Sequence, residues 1–241
     1  VFFAAGFETQ APETIDFMVN NCLACIDAAS RNGVGAVVVT SSGGSTNPPG
    51  HKNETPKREL EHWSDHESQI AKGKYSPAAK TLMELRALEA VGRDRSNVVV
   101  DKELASASCR LVIMNPNLIL GPQLQPGPGV SGNSLPWMSR IIKGETMNAQ
   151  IPNDSMSIIH VEDLAALHVA ASEREDAAGR YFGVDRSYPW SEILAAIKKA
   201  HPAYVMPPMY EGEAAVPTQF DHTRKESLGV YIYNIHVNAN I

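Results

Sequence analysis

The sequence predicts an α/β protein built on a doubly wound parallel sheet with helices on both faces. Strand-like and helix-like segments alternate along its 241 residues, which is typical of parallel strands connected by helices. Residues 36–39 read AVVV, an apolar run expected of a strand that is buried on both faces. The length allows one large domain, or one and a half, with a sizeable core.

Short apolar runs predict three buried strands at residues 1–5, 35–42 and 109–114. Five helices are predicted at residues 12–32, 77–91, 135–143, 162–174 and 191–200. Gly33 is placed to end the first helix, because glycine readily adopts the left-handed conformation of a C-cap. Pro77 is placed to begin the second helix, where its missing N–H costs nothing. Acidic residues 162 and 163 favour the start of the fourth helix.

Three connecting segments carry loop signals. Residues 43–74 begin with several glycines and prolines and continue with mixed charges, so they predict a long loop with at most a short helix. Residues 121–134 are rich in glycine and proline and predict a second loop. Residues 93–108 are polar and look like an insertion ahead of the third strand.

The composition argues against several classes of function, among them nucleic-acid binding and membrane association. A net charge of −6 with no concentrated basic run argues against nucleic-acid or anionic-membrane surfaces, and no apolar run approaches the roughly 18 residues of a membrane span. Three cysteines form no disulfide framework, which slightly favours a reducing compartment and a cytoplasmic location. Cys22 and Cys25 share one helix and are predicted to pack in the core or an interface. His160 and His168 are predicted to pack and to hydrogen-bond, and no metal site is expected.

Polar side chains follow the second strand, where the carboxyl ends of parallel strands form ligand sites. Ser42 lies at that strand's end, and Tyr75 and Lys80 lie near the start of the next helix. A hydroxyl, a phenol and an ammonium that converge on one crevice suit proton transfer to a carbonyl oxygen. Ser42 would hold the oxygen, Tyr75 would carry the proton, and Lys80 would make the phenol more acidic.

Eight segments carry a resemblance to a known family: Val1–Ala5, Val37–Ser42, Glu54 with Trp63–Asp65, Lys80–Glu84, Asn115–Pro116 with Gly121–Pro122, Leu124–Val130, Ile159–Ala165 and Ala178–Tyr181. In this order they resemble the extended short-chain dehydrogenase/reductases of the epimerase/dehydratase type, particularly the dihydroflavonol and cinnamoyl-CoA reductase branch. The resemblance covers most of the chain to about residue 229.

The resemblance implies a Rossmann-type sheet whose N-terminal strands are absent from this chain. Residues 1–121 would be the remainder of the dinucleotide-binding domain, and residues 122–241 mainly a small substrate-side part, with helix 162–174 returning to the main sheet. The family's glycine-rich pyrophosphate turn is expected three strands before Val1. A literal G-x-G-x-x-G at residues 127–132 follows a loop and contains Pro128, so it is interpreted as a substrate-side loop.

The resemblance also implies NADP or NAD as cofactor of the complete protein. The chain alone is expected to bind it weakly, because the pyrophosphate cradle is expected upstream. The residues implied to line the nicotinamide half are Ala4, Ala5, Thr40, Ser41, Tyr75, Lys80, Pro116, Leu118 and Ile119.

The implied reaction is reduction of a small-molecule ketone, aldehyde or thioester carbonyl, with Ser42, Tyr75 and Lys80 as the catalytic residues. One spacing departs from the family. Its tyrosine and lysine are four residues apart, whereas Tyr75 and Lys80 are five apart, which is about 140° on a regular helix. Either Tyr75 lies ahead of the helix and reaches the site, or the pair is broken.

Two alternatives stay open from the sequence. The same fold and tyrosine serve epimerase or dehydratase chemistry. The irregular spacing, the expected absence of the pyrophosphate turn and the insertion-like stretch also allow a reductase-fold protein that no longer catalyses. Such a protein would act as a homodimer or as a subunit of a larger assembly, through helices 12–32 and 77–91.

Overall fold

The computed structural model describes residues 1–6, 11–100, 105–123 and 134–232. The strands are β1 (Phe2–Ala4), β2 (Ala36–Thr40), β3 (Arg110–Pro116), β4 (Leu118–Leu120), β5 (Ser155–His160), β6 (Gly179–Gly183) and β7 (Arg186–Pro189). The α-helices are α1 (Glu13–Arg31), α2 (His66–Ala71), α3 (Tyr75–Ala90), α4 (Ser134–Ile142), α5 (Val161–Glu173), α6 (Trp190–Ala200) and α7 (Thr223–Glu226), with a 3₁₀ helix at Gly43–Ser45.

The main sheet has the order β1-β2-β3-β6, and all of its pairings are parallel. Val37 and Val39 of β2 face a core formed with α1 and α3, whereas Val38 faces a second core formed with α5. Side chains alternate across a strand, so the valine run serves helices on both faces. This confirms the predicted doubly wound α/β fold.

A second, three-stranded sheet has the order β4-β5-β7, with β4 parallel and β7 antiparallel to β5. Side chains of this sheet pack with α4 and α6 in a third core that includes Leu118, Ile141, Trp190 and Ile197. The second sheet therefore has its own apolar interior.

The two sheets do not divide at residues 121 and 122. Strand β4 precedes that point but joins the second sheet, because Leu118 and Leu120 pack into its core. Strand β6 follows that point but joins the main sheet beside β3. Gly183 permits this close pairing, since a Cβ there would lie 3.1 Å from the Pro116 nitrogen.

Local signals explain several helix ends. Gly33 follows α1 with φ +66°, and its N–H donates to the Ser30 carbonyl, as expected for a left-handed C-cap. Helix α3 begins at Tyr75, two residues before the predicted start at Pro77. Proline lacks only an N–H that the first helical turn leaves unpaired anyway, so the helix extends past it. No helix among the described residues is long and apolar enough to cross a membrane.

Candidate active site

Ser42 lies directly beyond β2, at the carboxyl edge of the main sheet. Its Oγ accepts a hydrogen bond from the Gly44 N–H at 3.0 Å, and its carbonyl accepts one from Asn115 Nδ2 at 3.1 Å. Asn115 belongs to β3, so the neighbouring strand holds the Ser42 backbone. The Oγ accepts from Gly44 and its proton has no acceptor among the described residues, so the hydroxyl can donate to a substrate oxygen.

The turn after Ser42 is packed tightly. The Gly44 carbonyl accepts hydrogen bonds from Ser64 Oγ at 2.7 Å and from Gln69 Nε2 at 2.8 Å. A Cβ on Gly44 would lie 2.9 Å from Pro77 Cβ and 3.3 Å from Ser42 Oγ. Glycine is therefore required at this position by close approach to the first turn of α3.

Replacing Gly44 with alanine is expected to push the Ser42 turn away from α3, because the added Cβ meets Pro77. The unfolding free energy should fall by about 1–3 kcal/mol, as in other overpacked sites. Chemical denaturation measures this loss. Gly35→Ala is the control, because nothing lies within 4 Å of the Cβ position at Gly35. Gly50→Ala in the same loop as Gly44 is not suitable, because Gly50 has φ +73° and alanine would be strained there whatever the space. Equal losses in Gly44→Ala and Gly35→Ala would contradict the packing argument.

Lys80 connects two strands at the same edge. Its ammonium donates to the Ala5 carbonyl at 2.8 Å and to the Thr40 carbonyl at 2.9 Å. Burial lowers the pKa of Lys80 from 10.5 to about 8, and the Glu84 carboxylate opposes that change. An ammonium has three donors, and two acceptors lie among the described residues, which leaves one donor for an incoming hydroxyl. This donor set fits a ribose at the position implied for the cofactor.

Tyr75 is the first residue of α3 and is half-buried. Within the described part of the chain its hydroxyl has no hydrogen-bond partner. Because Tyr75 belongs to the helix, it does not lie ahead of it, and the five-residue spacing to Lys80 corresponds to about 140° of regular helix. Ser76 occupies the position four residues before Lys80. Tyr75 as the proton donor is therefore still a prediction.

The other residues implied for the cofactor site lie near the ends of β1, β2 and β3 and on β4, and their exposures differ. Ala4 ends β1 and Ala5 follows it, while Thr40 ends β2. Pro116 is buried at the end of β3, and Ile119 of β4 is half-buried. Leu118 packs into the core of the second sheet. The side chain of Ser41 turns inwards, where its hydroxyl donates to Glu84 Oε1.

A buried ion pair lies beneath these residues, and the sequence did not single it out. Arg180 Nε lies 2.8 Å from Glu84 Oε2, and both side chains are 0% exposed. The Arg180 guanidinium also donates to the carbonyls of Glu59, His62 and Ser45. It stacks 3.7 Å from the centre of the Trp63 ring. The sequence did offer one indication of these two residues. Glu84 and Arg180 lie within Lys80–Glu84 and Ala178–Tyr181, two of the segments that resemble the reductase family.

His160 and His168 both make hydrogen bonds within the described structure. His168 Nε2 lies 2.8 Å from Thr40 Oγ1, and its Nδ1 lies 2.8 Å from the Leu164 carbonyl. His160 Nδ1 accepts from the Glu162 N–H at the start of α5. Cys22 is buried and Cys25 half-buried. The G-x-G-x-x-G at residues 127–132 lies outside the described residues.

The chain is similar over most of its length to curated plant reductases. It is 27% identical over 245 residues to cinnamoyl-CoA reductase 1 of Oryza sativa subsp. japonica, covering 100% of this chain and 67% of that protein. It is 29% identical over 197 residues to tetraketide alpha-pyrone reductase 2 of Arabidopsis thaliana, covering 82% and 55%. It is 24% identical over 234 residues to the bifunctional dihydroflavonol 4-reductase/flavanone 4-reductase of Malus domestica, covering 92% and 61%. No family model matches the chain.

Solved structures share the fold. Vestitone reductase from alfalfa (Medicago sativa L.) superposes with a TM-score of 0.71 at 18% identity, covering 98% of this chain and 71% of that chain. Gre2 from Candida albicans, in complex with NADPH, superposes with a TM-score of 0.67 at 21% identity, covering 97% and 70%. The chain spans between 55% and 67% of the length of the three curated relatives.

Proposed function

We propose that the complete protein is an NAD(P)-dependent carbonyl reductase. The basis is that the chain is a homologue of cinnamoyl-CoA, tetraketide alpha-pyrone and dihydroflavonol reductases in the extended short-chain dehydrogenase/reductase family. The proposed substrate is a ketone, an aldehyde or a thioester. The observation that carries the proposal is the Lys80 ammonium, held by carbonyls of two adjacent strands with one donor left for a hydroxyl.

Each candidate residue has a distinct task in this proposal. Ser42 donates its hydroxyl proton in a hydrogen bond to the substrate carbonyl oxygen and so orients it. Tyr75 transfers its phenolic proton to that oxygen as negative charge develops there. Lys80 supplies positive charge near the phenol and a donor for the ribose. When bound, NAD(P)H would supply the hydride that reduces the carbonyl carbon.

The proposal is tested on the full-length protein that contains this chain. NADPH fluorescence should decrease in the presence of an aromatic aldehyde, a ketone or an acyl-CoA thioester. Ser42→Ala should lower kcat about 10²–10³-fold, as removal of an oxyanion donor does elsewhere. A folded wild-type protein that binds NADPH but oxidises it with none of the three carbonyl classes would favour the non-catalytic alternative.

Activity is expected to fall as pH rises through about 8. The reason is that Lys80 acts as a cation and that burial lowers its pKa from 10.5 to about 8. The fall in kcat at alkaline pH measures this titration. Lys80→Arg provides the matched variant, since arginine stays charged, so its residual activity should persist to higher pH. If kcat falls at the same alkaline pH in the wild type and in Lys80→Arg, the proposed role of the ammonium is contradicted.

Little in the described surface supports a partner that docks on helices α1 and α3. Phe17, which is 43% exposed, is the one large apolar side chain exposed on α1, and none is exposed on α3. Docking interfaces normally need contiguous apolar area. The homodimer or complex predicted through these helices therefore stays a hypothesis.

A further inference from the structure

Glu84 lies one helical turn beyond Lys80 on α3, at the centre of a fully buried polar network. Its Oε1 accepts a hydrogen bond from Ser41 Oγ and another, at 2.7 Å, from Asn115 Nδ2. Its Oε2 faces Arg180 Nε at 2.8 Å. A buried charge persists only when it is paired and hydrogen-bonded, and this carboxylate has both kinds of partner.

Asn115 connects this network to Ser42 of the candidate active site. The same Nδ2 group that donates to Glu84 also donates to the Ser42 carbonyl at 3.1 Å. The carboxylate thus fixes the Asn115 amide, and the amide fixes the backbone of Ser42. Ser41, the neighbour of Ser42, is held directly by the same carboxylate.

Glu84 also acts electrostatically on Lys80. The Lys80 ammonium donates to the Ala5 and Thr40 carbonyls, and the groups that raise its pKa against the effect of burial are the Glu84 carboxylate and the Cys22 thiol of α1. Burial raises the pKa of Cys22 to about 12, so that thiol is neutral at physiological pH. The negative charge that favours the ammonium therefore comes from Glu84.

We propose that Glu84 is a positioning residue for the proton-transfer site, which fixes Ser42 through Asn115 and supplies the buried negative charge opposite the Lys80 ammonium. The proposal rests on the proposed function, because it assigns Glu84 to the site that carries it. It predicts two effects of one substitution, a geometric effect at Ser42 and an electrostatic effect at Lys80.

The test is Glu84→Gln in the full-length protein, because glutamine keeps the shape and an acceptor oxygen but removes the charge. The pKa of Lys80 is measured in the resting protein by NMR of ¹³C-labelled lysine, with the signal assigned from Lys80→Arg. It should fall below the wild-type value of about 8. Consequently the alkaline loss of kcat should begin at lower pH. Glu89→Gln, on the exposed side of the same helix and paired with Arg86, should leave both readouts unchanged.

Asn115→Ala tests the geometric arm separately and keeps the proposal testable if Glu84→Gln does not fold. It removes the bond to the Ser42 carbonyl but leaves the Glu84 charge. We expect kcat to fall about tenfold to a hundredfold, as misplacement of a reacting group does, with little change in KM and no change in the pKa of Lys80.

The proposal is overturned if folded Glu84→Gln leaves the Lys80 pKa at the wild-type value, or if Asn115→Ala keeps wild-type kcat. Because the NMR titration needs no turnover, its outcome does not depend on the proposed activity. An inactive wild-type protein would reject the carbonyl-reductase function alone, whereas an unchanged pKa would reject the role of Glu84 alone.

Discussion

Tyr75→Phe is expected to lower kcat by about 10²–10⁴-fold, the range that a positioned general acid contributes. Tyr75 is half-buried at the first position of α3, and its hydroxyl has no hydrogen-bond partner among the described residues. Loss of the hydroxyl should therefore cost little folding free energy. Single-turnover oxidation of NADPH measures the chemical step, and thermal unfolding checks that the fold is retained.

Two variants make this result specific. Tyr231→Phe removes a phenolic hydroxyl from a side chain that is 89% exposed, and it should leave kcat unchanged. Ser76→Ala alters the residue four positions before Lys80, the spacing at which the family places its tyrosine. Wild-type kcat in Tyr75→Phe would contradict the assignment of Tyr75 as the proton donor. A large loss of kcat in Ser76→Ala would assign a role to Ser76 instead.

Arg180→Met is expected to lower the unfolding free energy by about 3–5 kcal/mol, because it leaves the buried Glu84 carboxylate without its counter-ion. Arg180 and Glu84 are both 0% exposed. The substitution also removes the guanidinium donors to the carbonyls of Glu59, His62 and Ser45. Methionine retains much of the aliphatic volume, so the loss reports mainly on charge and hydrogen bonding.

Urea unfolding followed by tryptophan fluorescence measures this effect. The matched control is Arg86→Met, since Arg86 pairs with Glu89 on the surface of α3 and exposed pairs contribute little to stability. A loss in Arg180→Met no larger than that in Arg86→Met would contradict the structural role of the buried pair.

The sequence predicted β1, β2 and β3 of the main sheet because their signals are local, whereas β6 at Gly179–Gly183 was not predicted. The valine run of β2 and the apolar periodicity of α1 depend on neighbours a few residues apart. Strands β4, β5 and β7 of the second sheet were missed as well, since short segments such as SMSIIH at residues 155–160 become strands only through pairing with each other. Tertiary pairing of this kind is not visible in a local pattern.

The candidate site shows the same limit. Ser42 lies just beyond β2, where polar residues after an apolar run predicted a ligand site, and Lys80 reaches that edge from α3 through the Ala5 and Thr40 carbonyls. The inward turn of Ser41 could not be predicted, because its partner Glu84 lies on a helix distant in the sequence. The link from Glu84 through Asn115 to Ser42 likewise depends on three separate elements.

Hydride transfer to a carbonyl at this site is tested by the position of an isotope label. The full-length protein is given NADPH deuterated at the transferring position of nicotinamide C4, together with a carbonyl that it turns over. We expect an alcohol or aldehyde product that carries one deuterium on the former carbonyl carbon, as detected by mass spectrometry. Oxidation of NADPH that leaves the product unlabelled would contradict this expectation, as would an isomerised product with no net reduction.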